Sequence, residues 1–233
     1  NGDVNNVTSS VLRIEAGSFG GANSIETEVD TIAAVMSSLF GFSILERDDI
    51  IVDSTGDISV QRVQFNGSAN TDTDPSLSDL VGGDIELATL NGSIIVNEGD
   101  SDDTGVLVGF GVGLEARGAG SNVILNADIK PADNRIGPVH VFIRADNDVD
   151  VNADISADNF ISIGASNNRL DGRPDDGVNL AAGTVIENTG DIVLIHALNE
   201  SDVWLNRIVN LQRAVSVEAE RDIWDNNGPE NNV

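Results

Sequence analysis

The run of residues 139–163, VHVFIRADNDVDVNADISADNFISI, is compatible with very few folds. Apolar residues stand at every second position at Val139, Val141 and Ile143, at Val149 and Val151, and at Ile161 and Ile163. Successive side chains of an extended chain point to opposite faces, so this spacing means strands with one buried face. Short Asp/Asn turns cut the run, and no helical stripe competes with it. The same unit recurs along most of the chain: strand, Asn/Asp/Gly corner, strand.

Two phrases repeat. Gly-Asp-Ile-Xaa-(Val/Leu) occurs at 56–60, 83–87 and 190–194, and Val-Xaa-Xaa-Asn-Ala-Asp-Ile occurs at 123–129 and 149–155. Short units at irregular spacing, with insertions between them, predict a solenoid of parallel strands whose coils vary in length. A sandwich would not need the same corner chemistry to recur. Corners with positive φ favour Gly and Asn, and Asn side chains can bond the Asn of the next coil. Val, Ile, Leu and Ala are expected inside, each stacked on its like. With roughly 20–27 residues per coil and about 4.8 Å between coils, the chain makes about ten coils, a rod of about 45–50 Å. Residues 1–233 read as a single segment of this kind. Residues 31–42 fit either a short helix or a buried strand; the strands on both sides favour strand. Polar insertions at 66–80, 131–138 and 167–177 read as loops.

Aromatic residues make up 4% of the chain and tyrosine is absent, so small aliphatic side chains must fill a narrow interior. The net charge of -27 repels nucleic acid and anionic lipid, and attracts divalent cations. Cysteine is absent, which excludes disulfides, thiolate metal sites and thiol catalysis. No apolar run is long enough for membrane insertion as a helix. The start at Asn1, and the open sheet edges that a solenoid has at each end, predict a segment of something longer.

The phrases LRIEAG at 12–17, IETEVDTIAA at 25–34, GDISV at 56–60 and GDIEL at 83–87 resemble the repetitive region of giant bacterial exoproteins, the filamentous-haemagglutinin-like adhesins and related large surface proteins. The resemblance covers most of the chain. It implies a right-handed parallel β-helix, secretion to the extracellular space or cell surface, and a stalk or filament role. The Gly-Gly-Xaa-Gly-Xaa-Asp calcium repeat is missing, so a calcium β-roll is not implied.

Calcium is the small ligand that the composition favours. Oxygen-rich groups occur at Asp72 and Asp74 (with Asn70), at Asp100, Asp102 and Asp103, and at Asp171, Asp175 and Asp176. Calcium takes six to eight oxygens, and such loops supply several. An EF-hand is excluded because Pro75 stands where that loop needs glycine. Asp146, Asp148 and Asp150, after Arg144, share one face if extended, but read first as corner residues. Trp204 and Trp224 lie about one coil apart and are expected to stack. His140 and His196 have no nucleophile elbow to serve.

Three functions follow as expectations. The first is a non-catalytic structural and adhesive rod, its partners being neighbouring copies end to end, or a host, cell-surface or carbohydrate ligand. The second is a calcium-dependent adhesion module. The third is a polysaccharide-cleaving β-helix, which requires a groove with carboxylates near Arg144 or Arg117.

Overall fold

The computed structural model describes residues 5–17, 23–37, 41–133, 135, 137–166 and 177–226. These residues are all-β, without a helix. Two long strands come first, β1 (Val7–Ala16) and β2 (Ile25–Met36), then β3 (Phe42–Glu46) and β4 (Ile50–Val52). β5 (Ile58–Val63) and β6 (Ala69–Asp74) follow, then β7 (Leu80–Thr89), β8 (Ile94–Val96) and β9 (Thr104–Ala116). Next are β10 (Val123–Leu125), β11 (Asp128–Pro131), β12 (His140–Ala145), β13 (Val149–Val151) and β14 (Ile155–Ala157). The last are β15 (Phe160–Ser166), β16 (Gly177–Leu180), β17 (Val185–Asn188), β18 (Val193–Leu198), β19 (Asp202–Leu205), β20 (Arg207–Asn210), β21 (Val215–Ala219) and β22 (Ile223–Asp225). The ambiguous piece at 31–42 is strand through Met36, and pairs on both sides with other strands.

All strands except β5 and β6 belong to one large parallel sheet. From β10 to β19 each strand pairs with the strand three places later, and the pairing resolves into three ladders. One runs β1–β2–β3–β7–β9–β12–β15–β18–β21. A second runs β2–β4–β8–β10–β13–β16–β19–β22, and a third β2–β7–β9–β11–β14–β17–β20.

The register stacks like on like. Val123 pairs with Val149, Val149 with Val178 and Val178 with Val203. Ala116, Ala145, Ala165, Ala197 and Ala219 form another column. The period-two residues point inward, and together they make one continuous aliphatic core. Burial of these β-branched and aliphatic side chains is the main driving force for the stack. The repeated VxxNADI phrases lie on top of one another, with Val123 against Val149 and Ile129 against Ile155.

The corners use asparagine in one of the two expected ways, by side-chain bonds between levels, and not by positive φ. Asn126 Nδ2 donates to Asn97 Oδ1 at 2.9 Å, and Asn152 Nδ2 donates to Asn126 Oδ1 at 2.9 Å. Asn97 itself donates to Asp53 Oδ2 at 3.0 Å. None of these asparagines has positive φ; among described non-glycine residues only Asp103, Asn199 and Glu200 do. The corner amides bond from level to level, and the backbone needs no left-handed residue there.

One expectation is corrected. Residues 66–80 were expected as a loop, and 56–60 as one of the repeated coil phrases. Instead β5 and β6 form an antiparallel hairpin outside the parallel stack, in register from Ile58 opposite Asp74 to Val63 opposite Ala69. The Asn66-Gly67 turn drives it: Gly67 takes φ +80°, and Asn66 Oδ1 accepts from the Ser68 N–H at 3.0 Å. Every residue of β6 is exposed.

Candidate functional site

Two places gather polar chemistry. The first is a groove on the outer face of the first ladder, with a volume of about 500 Å³. It follows from register. Ser43, Glu86, Gly113, Phe142 and Ser162 form one outward row, and Leu45, Ala88, Glu115, Arg144, Gly164 and His196 form the next. Small residues at Ser43, Ala88, Gly113, Ser162 and Gly164 make the floor low. At Gly164 a Cβ would sit 2.3 Å from His196 Nε2, so the glycine is what lets the imidazole lie over the sheet.

The two arginines of the groove gather on Glu115. Arg117 donates to Glu115 Oε2 at 2.5 Å, while the Arg144 guanidinium stands 3.9 Å from Glu115 Oε1. The bond from Arg117, with both positive charges, holds the Glu115 carboxyl below the ordinary carboxylate range. An aromatic row runs beside it: Phe110 and His140 have ring centroids 5.7 Å apart, His140 and Phe142 6.4 Å, and Phe142 and Phe160 5.2 Å. Phe110, Phe142 and Phe160 become neighbours only through strand register, so their spacing in sequence does not show this row.

The second place is the corner that precedes the third ladder. Asp79, Asp100 and Asp102 each place a carboxylate oxygen within 4.8 Å of the others, the one such acidic group among the described residues. Of the expected ligands, Asp100 and Asp102 are therefore brought together. Asp103 is not in the group; its φ of +62° turns the chain, and its carbonyl accepts the Asp128 N–H at 2.9 Å. Asp72 lies on the hairpin, paired with Arg62 at 2.8 Å, and Asp74 is opposite Ile58 on the same hairpin. Asp171, Asp175 and Asp176 lie outside the described residues.

Asp79 was missed by sequence reasoning. A usable signal exists: an aspartate directly before the first aliphatic residue of a strand, as in Asp79-Leu80, Asp128-Ile129 and Asp154-Ile155. Its carboxyl is pushed up from 3.8 to about 6, chiefly by burial, with Asp102, Asp100 and Glu98 adding to the rise and a bond from Ser78 opposing it. Asp100 accepts from Ser78 Oγ at 2.9 Å and from the Ser101 N–H at 2.5 Å, and Asp102 accepts from the Thr104 N–H at 2.8 Å.

The other acids weighed from sequence serve as ties between levels. Asp148 Oδ1 accepts from the Gly177 N–H at 2.8 Å, and Asp146 Oδ2 from the Gly118 N–H at 2.9 Å. Trp204 and Trp224 stack at 5.4 Å, as their spacing predicts, but on the outer surface, with Trp224 46% exposed.

Compared with known proteins, the chain matches no family model, no curated protein and no solved structure. Among the described residues, no helix is long and apolar enough to cross a membrane.

Proposed function

We propose that the chain is a rigid segment of an extracellular surface protein or filament, a right-handed parallel β-helix with a structural and adhesive role. The observation that carries this reading is the uninterrupted parallel register of the first ladder, from β1 to β21. Nine levels at a spacing of about 4.8 Å make a rod of roughly 40 Å. Backbone hydrogen bonds then run along the rod axis, the direction in which a stalk carries load. Among the described residues β1 pairs only with β2, and β22 only with β19, so each terminal level offers an edge to a neighbouring copy or repeat. The resemblance to filamentous-haemagglutinin-like exoproteins agrees with this reading. Small-angle scattering over a concentration series tests it. Particles should lengthen with concentration at constant cross-section; compact particles of fixed length at every concentration would count against end-to-end use.

A second reading, a polysaccharide-binding or polysaccharide-cleaving β-helix, is favoured by the groove of Glu86, Glu115, Arg117, Arg144 and Phe142. Sugar rings pack on aromatic faces, and Arg144, 61% exposed in its side chain, is available to an acidic sugar. Titration with acidic and neutral oligosaccharides, while following new reducing ends, separates binding from cleavage. No heat of binding with either class would end this reading.

A further inference from the structure

Several corner aspartates of this chain tie one level to another. Asp128 Oδ1 accepts the Asp154 N–H at 2.8 Å, and Asp154 Oδ1 accepts the Val185 N–H at 2.7 Å. Asp49 likewise takes the Ser93 N–H at 2.6 Å, and Asp158 the Val139 N–H at 2.6 Å. Each carboxylate receives a main-chain donor from another level. Asp79 occupies the equivalent place before β7 and has no such donor. It is 8% exposed, and its Oδ1 is buried with no hydrogen-bond partner. A buried carboxylate oxygen without a donor is costly, and natural proteins leave few of them unexplained.

The surroundings of Asp79 turn that anomaly into a site. Gly99 brings the 97–103 segment against the preceding level: a Cβ there would stand 2.6 Å from the Ser54 nitrogen and 2.8 Å from Ser78 Cβ. That approach sets Asp100 and Asp102 beside Asp79. Glu98 is drawn in as well, its Oε1 accepting from the Asp100 N–H at 3.1 Å and the Asp102 N–H at 3.2 Å. The positive group nearby, Lys130 Nζ, is held by Asp128 Oδ2 at 2.9 Å and donates to Thr104 Oγ1 at 3.2 Å, one level away. It leaves Asp79 Oδ1 unpaired.

We infer that Asp79, Asp100 and Asp102 form a calcium site that clamps two successive levels of the stack, with the unpartnered Asp79 oxygen as its buried ligand. Two oxygens bound to one calcium stand at most about 5 Å apart, and the three carboxylates lie close enough together to meet that limit. Water or main-chain carbonyls supply the remaining ligands. The cation is a structural clamp: it joins the segment before β7 to the segment before β9. The inference goes beyond the rod reading and stands or falls separately from it.

The test is thermal unfolding of the whole chain in calcium and in chelator at constant ionic strength, with Asp79→Asn, Asp102→Asn and, as a control, Asp72→Asn on the hairpin. Wild type and Asp72→Asn should gain on the order of 5 °C at saturating calcium. Asp79→Asn and Asp102→Asn should lose that gain. Asp79→Asn should melt at or above the wild-type temperature in chelator, because the buried charge is gone. Calorimetric titration with calcium should lose one equivalent in both variants. No calcium response in wild type would overturn the inference, and so would an equal gain in wild type and Asp79→Asn, which would mean diffuse screening of the acidic surface.

Discussion

Glu46 shows how a charged side chain can belong to the core. It is fully buried at the end of β3, between Thr27 of β2 and Thr89 of β7 in register. Thr27 Oγ1 donates to it at 2.6 Å, the Arg47 N–H at 2.8 Å and the Val29 N–H at 3.2 Å. Burial nevertheless outweighs these donors and raises its carboxyl above the ordinary 4.5. The folded state therefore binds the proton more tightly than the unfolded state. Stability from this group is fully present below 4.5 and declines as pH rises through the raised value. Glu46→Gln should remove that part of the pH dependence, seen as a flatter plot of urea midpoint against pH above the ordinary 4.5. Asp202 works in the opposite direction. Arg221 grips it with two bonds of 2.8 and 2.5 Å and holds its carboxyl below the ordinary range. This pair ties β19 to the corner before β22.

At the scale of elements, the β5–β6 hairpin is the part that does not share the common core. Its Val60, Val63 and Phe65 are exposed, and its base is closed locally by the Thr55 N–H donating to the Leu77 carbonyl at 2.8 Å and by Ser54 and Ser76 hydroxyls 2.7 Å apart. Replacing residues 58–74 with a short Gly/Ser turn should leave the parallel stack intact. The expected change in unfolding free energy is within about 1 kcal/mol, because little apolar area is lost and loop closure costs change slowly with length. Circular dichroism and a urea melt of the shortened chain check this; loss of cooperative unfolding would mean the hairpin supports the stack.

For the whole molecule, most of the net charge of -27 lies outside one continuous aliphatic core. Self-repulsion opposes folding and end-to-end contact alike, and salt screens it within about 10 Å at 0.1 M. Raising sodium chloride from 10 mM to 500 mM should raise the melting temperature by several degrees, roughly 3–6 °C, in wild type and in Asp79→Asn equally. That equality separates general screening from the calcium clamp, which depends on Asp79.

The alternation at 139–163 by itself determined that the chain is all-β with an aliphatic interior, because period two leaves one face to bury whatever the partner strand is. The echo of 123–129 at 149–155 also carried the pairing of those segments, since identical corners stack best in register. The Trp204–Trp224 contact was legible from spacing in the same way. Other features needed the tertiary structure. GDISV at 56–60 reads like GDIEL at 83–87, yet the following Asn66-Gly67 turn folds it back on itself, and local turn chemistry won over the repeat. The groove depends on which outward residues of different strands fall side by side, and connections of unequal length between the strands hide that offset. The acidic corner depends on Asp79, whose distance from Asp100 in sequence says nothing of their contact; only the close approach at Gly99 brings them together. Alternation is a local property of one chain segment, whereas a site assembled across levels is set by register, and register is decided when the strands pack.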